Sequence, residues 1–564
     1  MIQVIINNNF SQIKDLSTFD HKISLPLQEA LHDELSYKNA EAEWSPKFKQ
    51  GLWDGKISLY NKRQQIFPTG LCSRVKKVCE ILKLEYEFVD KRIKPEKNYP
   101  VTCDFGGRDL RFYQKESAEM ALKCQRGILS LATGAGKTLT SCQIFENLGV
   151  APVVFIVPAI ELLKQTQKEF EKILRIDDKP VTVGIYGAGL CELNLNGINV
   201  MTYQSALAAY NKKFLDSQNK IVDVKKHDDG STKTTEQLQK EYDDAYKIVR
   251  SIKARRIDEA EKIKLLKVPT ANMNKKKLAL DVRLKSIEKK AQARNLIENC
   301  KALIIDEAHV ASVIIEALSV SARSAFYRVG LSATPYRVDN QEIRIEGALG
   351  RKIYEVSCSD LINLGYLVPP KVFVCPIKYV ENSNTYPEAY TANIVNCWER
   401  NYRIKEFAES LKDSGRPTLI LVERLEHGNI LESMIEDSVF VPGGDKGEVD
   451  PTDEEKNYRR RMLNAVENNE IILIATQWAN VGVDAPKISA LILAGSTSSP
   501  VTTIQQAGRI LRCVGKDIEA SKENGKSDAV IIDFVSSQRH LKSHYLTRKK
   551  VYRYQTAWYF EELK

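Results

Sequence analysis

From Arg111 onward, short unbroken apolar runs alternate with amphipathic stretches of helical period. In the first half the runs are Ile128–Ala132, Val153–Val157, Ile198–Thr202, Ala302–Ile305 and Tyr327–Leu331. A strand without polar alternation is buried on both faces, so each run predicts a strand of a parallel sheet covered by helices on both sides. A second series begins near Pro369, with Thr418–Val422, Ser438–Pro442, Ile471–Ala475, Ala490–Ala494 and Ala529–Phe534. The expected architecture is α/β, with two parallel-sheet lobes in tandem.

The alternation fails in two places. Residues 1–95 read as a small α+β module: a strand at Gln3–Asn7, a helix at Leu25–Tyr37, an Asp54-Gly55 turn into a strand ending at Tyr60, and a helix at Arg74–Leu84. Residues 211–298 are rich in Lys, Glu, Asp and Ala, with helical spacing in Tyr246–Leu266 and Lys277–Ile297, and read as a helical hairpin inserted into the first lobe. The domain boundaries that follow are 1–95 for the accessory module, 96–368 for lobe 1 with its insertion, and 369–564 for lobe 2.

Composition narrows the class. A chain of 564 residues exceeds a single core, and 43% apolar with 28% charged residues is the balance of a folded protein. No run of 18 apolar residues predicts a membrane span, and the N-terminus carries no leader pattern, so a cytoplasmic setting is expected. Eleven cysteines show no Cys-x-x-Cys and no zinc spacing, which predicts reduced thiols. The net charge is +10, and residues 211–298 hold 23 Lys+Arg against 14 Asp+Glu. A polyanionic partner fits that concentration; a merely solvated helical face explains it too.

The chemistry lies in two segments. Leu129-Ser-Leu-Ala-Thr-Gly-Ala-Gly-Lys-Thr138 follows an apolar strand and opens a helix, the setting a phosphate-binding loop requires. Thr133, Gly134, Ala135 and Gly136 would present backbone N–H groups to phosphate oxygens, at the positive end of the following helix. Lys137 would reach the β/γ-phosphates of ATP and the Thr138 hydroxyl would ligate Mg²⁺. The first glycine of the usual pattern is Leu131 here. Ala302-Leu-Ile-Ile-Asp-Glu-Ala-His309 then puts two carboxylates at the carboxyl end of a strand, where ligands of parallel sheets sit. Asp306 is placed to hold the Mg²⁺ shell and Glu307 to orient and deprotonate the attacking water. His309 is a coupling candidate.

These two segments resemble the superfamily 2 helicases, and further stretches fit that family's motifs in order. The resemblance implies two RecA-like lobes. It implies that Gln114, in Leu110-Arg-Phe-Tyr-Gln114, reads adenine, and that Pro158, Gln165, Thr202 and Thr476 hold a nucleic-acid backbone. Ser332 and Thr334, in Leu331-Ser-Ala-Thr-Pro335, would couple nucleotide state to strand grip. Ile474–Asp484 resembles motif V, with Gly482 and Asp484 at the nucleotide and Asn480-Val481 where an acidic residue is usual. Gln505-Gln-Ala-Gly-Arg-Ile-Leu-Arg512 resembles motif VI, and implies Gln505, Arg509 and Arg512 as catalytic groups. Spaced i, i+3, the two arginines share one helix face. Trp53-Asp-Gly-Lys56 and Phe67-Pro-Thr-Gly-Leu71 narrow the resemblance to phage UvsW-type branch-migration helicases.

The resulting expectation is an ATP- and Mg²⁺-dependent DNA helicase acting on branched DNA. Lys47 and Lys56 of the N-terminal module, near Trp44, Phe48, Trp53 and Tyr60, would grip duplex beside a branch, and the basic insertion would contact a DNA arm. The alternatives are the translocase subunit of a restriction system, an RNA helicase, or a nucleotide-switched scaffold without turnover.

Overall fold

The computed structural model describes residues 1–39, 42–210, 213–215, 221–223, 234–310, 312–333, 341–378, 381, 383–443, 453–476 and 485–563. Lobe 1 is built on an eight-stranded sheet. Its order is Leu190–Glu192, Gly184–Gly187, Ile198–Thr202, Val153–Val157, Ala302–Ile305, Tyr327–Ser332, Arg126–Leu131, Lys352–Val356. Every pairing is parallel except the Leu190–Glu192 edge. The middle strands are buried along their whole length, which is why their sequences show no polar alternation. Lobe 2 is a seven-stranded, all-parallel sheet. It contains the five expected runs plus Pro370–Ile377 and the edge strand Tyr559–Glu562. This is the expected α/β class with two RecA-like lobes.

The lobes meet directly. Val368 N donates to Leu511 O at 2.8 Å, Leu367 bridges Arg512, and Ile518 N donates to Gly365 O at 2.7 Å. Leu367, Val368 and Leu511 are buried within one apolar cluster that includes residues of both lobes.

The N-terminal module has a four-stranded sheet, ordered Ile66–Pro68, Phe10–Asp15, Ile2–Ile6, Tyr86–Asp90, and helices Leu25–Glu34 and Cys72–Ile81. The first helix is shorter than its apolar spacing suggested, because Ser36–Lys38 turns away to pair with Lys56–Ser58. The module is fixed to lobe 1. Arg328, wholly buried, donates to the carbonyls of Ser319, Ala322 and Ala325 and reaches Asn9 Oδ1. Asn9 Nδ2 returns a bond to Val320 O at 2.7 Å. A Cβ on Gly70 would lie 1.9 Å from Glu346 O, so the two surfaces touch backbone to backbone.

The insertion is a helical hairpin, as expected, but its break falls inside the predicted Tyr246–Leu266 helix. The helices are Thr235–Lys253 and Glu259–Asn299. Asp258 starts the second by accepting from Ala260 N and Glu261 N, and this acidic N-cap outweighs the apolar spacing that runs across it. The second helix continues through Pro269 for 41 residues. Among the described residues no helix is long and apolar enough to cross a membrane, and all eleven cysteines are free thiols.

Candidate nucleotide cleft

The strand Arg126–Leu131 delivers the chain into the glycine turn, and the helix Lys137–Leu148 leaves it. Gly134 and Gly136 have φ of +86° and +81°, backbone that only glycine enters freely. Leu131, in place of the first glycine, is the last residue of the strand. Gln114 braces the loop from below. Its Nε2 donates to Ala135 O at 2.8 Å, its Oε1 accepts from Arg111 N at 2.9 Å, and it is 3% exposed. In this geometry both ends of the amide are held by protein partners.

Opposite the loop, Ala302–Ile305 ends in Asp306 and Glu307. Glu307 Oε1 accepts from Lys137 Nζ at 2.6 Å. Its second oxygen faces His309 Nδ1 at 3.4 Å, and the same ring nitrogen lies 2.9 Å from Ser332 Oγ. One contiguous path thus runs from Lys137 through Glu307 and His309 to Ser332. The Tyr203 hydroxyl fixes the turn by donating to Asp306 O at 2.9 Å. Glu307 has a left-handed φ of +48°, backbone strain of the kind that persists where surrounding contacts enforce it.

The electrostatics follow from two adjacent carboxylates facing one ammonium. Burial and the Glu307 charge hold Asp306 above the ordinary carboxylate range, although Lys137 opposes them. Burial alone would raise Glu307 as well, but Lys137 and His309 outweigh it and hold Glu307 below its usual value. Lys137 stays raised despite burial, because Glu307 and Asp306 favour its charge. The surplus negative charge and the hard oxygen donors of Thr138 and Asp306 fit a divalent cation of the Mg²⁺ type.

Lobe 2 closes the cleft with the helix Pro500–Ile510, whose Ser499 side chain caps Thr502 N. Its apolar side, Ala507 and Ile510, is buried in the lobe. Gly508 then faces the glycine turn so closely that a Cβ there would meet Thr133 Cβ at 2.7 Å. A Cβ on Gly134 would sit 3.8 Å from Arg512 Cγ and 3.0 Å from Leu367 Cδ2. Arg509 is pushed down to about 10 by burial and by Arg512, with the Glu307 charge acting in the opposite sense from across the cleft. Gln505 is half-buried one turn earlier on the same helix. Arg111 adds a second lobe contact, lying 4.0 Å over the Tyr366 ring and donating to Lys516 O at 3.0 Å.

The nucleic-acid candidates divide. Pro158 is half-buried and Gln165 is exposed on the helix Ile160–Ile173. Thr202 is 1% exposed, and its Oγ1 caps the next helix by accepting from Ser205 N at 3.2 Å. Thr476 is likewise buried, its Oγ1 accepting from Gly443 N at 2.7 Å. In both, a hydroxyl at a strand end satisfies nearby backbone first. Lys47 is exposed, while Lys56 is paired with Asp33 at 2.8 Å. Trp44 is 80% exposed beside Lys49, whereas Tyr60 belongs to the module core. Thr334, Gly482 and Asp484 lie outside the described residues.

Sequence reasoning missed Gly508, Thr133 as its partner, Tyr203 and Arg111. Gly508 is the glycine of the motif VI stretch, and a glycine inside a helix is itself a signal of close approach. Nothing in the sequence singles out Tyr203 or Arg111.

Three family models match the chain in order: the N-terminal domain of DNA helicase UvsW at 9–90, the type III restriction enzyme res subunit at 108–228, and the helicase conserved C-terminal domain at 403–514. The ATP-dependent DNA helicase uvsW of Enterobacteria phage T4 is 20% identical over 534 residues, 90% of this chain and 86% of the relative. Its crystal structure covers 100% of this chain and 99% of its own, at 16% identity and a TM-score of 0.39. Putative helicase 22 of Sulfolobus islandicus filamentous virus is 26% identical over 39% of this chain. DNA 3'-5' translocase XPB2 of Sulfurisphaera tokodaii is 38% identical over 21% of this chain. The matches span only 41% and 26% of those two relatives. With the UvsW-type module, the phosphate-loop lobe and the helicase C-terminal lobe in this order along one chain, the protein belongs to the superfamily 2 helicases, in their UvsW-like group.

Proposed function

We propose that the chain is an ATP-dependent DNA helicase or translocase that remodels branched DNA. The observation that carries this is the approach of the Pro500–Ile510 helix to the glycine turn, with Gly508 against Thr133 and Arg509 within the field of Glu307. A nucleotide between those surfaces touches both lobes, so its hydrolysis changes how they fit together.

The residues divide the chemistry. Backbone N–H groups of Thr133–Gly136 and the following helix cradle the phosphates. Lys137 is shared: the ammonium that now holds Glu307 at 2.6 Å is the group that reaches the β/γ-phosphates. As phosphate draws Lys137 away, Glu307 loses the charge that lowers its pKa and becomes the stronger base for the attacking water. Thr138 and Asp306 would hold Mg²⁺, which supplies charge neutralisation of the phosphates when bound. Arg509 and Arg512 neutralise charge on the transferred phosphoryl group, an effect worth about 10³–10⁵ in rate for such arginines. His309 and Ser332 carry the state of Glu307 to the neighbouring strand end.

The DNA reading is supported by what the relatives are named for: a DNA helicase in the phage relative and a DNA translocase in the archaeal one. A backbone-tracking motor reads no sequence and is salt-sensitive. The test compares ATPase stimulation by single-stranded DNA, duplex DNA, a four-way junction and RNA. The expected order places the junction first and RNA last. Stimulation by RNA alone would replace this reading by the RNA-helicase one.

A further inference from the structure

The long helix of the insertion carries two heptad-spaced stripes, and among the described residues only one of them is covered. The inner stripe includes Leu266, Met273, Lys276, Leu280 and Arg283, all at least partly buried. Leu280 is 5% exposed, and Lys276 pairs with Glu241 of the first helix at 3.9 Å. Ala293 and Ile297 continue this side into the core of lobe 1. That stripe explains why the hairpin stands.

The outer stripe runs on the opposite side. Its apolar positions are Val268, Ala271, Leu278 and Val282, and all are exposed; Val268, Leu278 and Val282 reach 75%, 64% and 61%. Its remaining positions are Lys264, Lys275, Lys285 and Lys289, also exposed. The spacing from 264 to 289 is an unbroken 4-3-4-3 alternation, the period of a coiled-coil seam, extending over about 38 Å. A solvated helix has no need to place branched aliphatic side chains at that period on its open face.

We infer that this outer stripe is a docking seam for an acidic amphipathic helix of a partner protein. Charge selects among the occupants. A second copy in antiparallel register would set Lys264 against Lys289 and bury lysines against valine and leucine, and a parallel copy would oppose every lysine to itself. A DNA backbone matches the four lysines but leaves the aliphatic side chains without a partner. A helix that is apolar in its middle and carries carboxylates opposite the lysines satisfies both sets, with the lysine stems lying along the apolar contact. The inference goes beyond the motor reading and does not depend on it.

The test uses the full chain and a designed 28-residue helical peptide with leucine in its central seam and glutamate facing Lys264, Lys275, Lys285 and Lys289. Titration calorimetry should show binding that weakens with salt. The Leu278→Ser/Val282→Ser variant should lose at least tenfold in affinity while keeping its helix content and DNA-free ATPase rate. A peptide of the same seam with lysine in place of glutamate should not bind. No peptide binding would overturn the inference. A Lys275→Ala/Lys285→Ala variant that loses duplex-DNA affinity tenfold without any peptide binding would assign the stripe to DNA. A concentration-dependent dimer abolished by Leu278→Ser would assign it to a second copy.

Discussion

Gly508→Ala separates lobe stability from cleft closure. In a helix interior the added methyl favours the helix by about 1 kcal/mol, so lobe 2 taken alone gains stability. The same methyl would meet Thr133 Cβ at 2.7 Å and Thr133 Cγ2 at 3.1 Å. Carbon atoms rest about 3.5–4.0 Å apart, so the helix must withdraw from the glycine turn by roughly 1 Å. Thr133 Cβ is one bond from the backbone and cannot swing aside. Overpacking of this order costs about 1–3 kcal/mol, and it falls on the closed cleft in which the proposed mechanism sets Arg509 and Arg512 at the phosphates. That converts to a roughly five- to hundredfold fall in ATPase kcat. The assay is steady-state hydrolysis at saturating DNA beside thermal unfolding. The expected pair is a melting temperature equal to or above the wild type with the reduced kcat. A Thr133→Gly partner change should couple to it by about 1 kcal/mol or more in a double-mutant cycle. A kcat within twofold of wild type, with stability raised, would refute the reasoning.

Other expectations follow from single contacts. Glu307→Gln should bind ATP but lose turnover by about 10²–10⁴; unchanged hydrolysis would remove Glu307 from the chemistry. His427 is buried, its Nε2 2.9 Å from Asn401 Oδ1, and burial with the Arg400 charge holds its pKa down to about 3. The unfolded chain therefore binds more protons between about pH 3 and 6.5. Stability is full above pH 6.5 and should fall by up to roughly 5 kcal/mol as pH drops through that window. His427→Gln should flatten this slope in denaturant titrations across pH. Gly70→Ala would press a methyl into Glu346 O. Limited proteolysis should then release the N-terminal module, and resistance equal to wild type would show that the two surfaces can part without cost.

How legible the fold was in the sequence depended on which force set each element. The buried parallel strands were legible because an unbroken apolar run such as Val153–Val157 has one stable use. Pro370–Ile377 was not, since its exposed lysine and half-buried phenylalanine interrupt the apolar pattern. The hairpin break was hidden because Ile252 and Ile263, about three helical turns apart, fall on one face across a turn set by the Asp258 cap. The glycine turn and the Asp306-Glu307 pair were visible as chemistry. Their mutual arrangement was not: the sequence places Lys137 at phosphate, whereas the structure shows it held by Glu307, a contact spanning 170 residues. The backbone bonds of Thr202 and Thr476 were not legible, because a hydroxyl at a strand end looks alike whether it serves a ligand or its own backbone.

The central claim is that lobe 2 completes a site that lobe 1 only begins. Single-turnover ATP hydrolysis by Arg509→Ala, with ATP affinity measured separately on the same protein, tests it most directly. The account predicts affinity within a few-fold of wild type and a hydrolysis rate lowered by about 10³ or more. Hydrolysis at the wild-type rate would mean that the arginine helix lies against the glycine turn without taking part in the reaction.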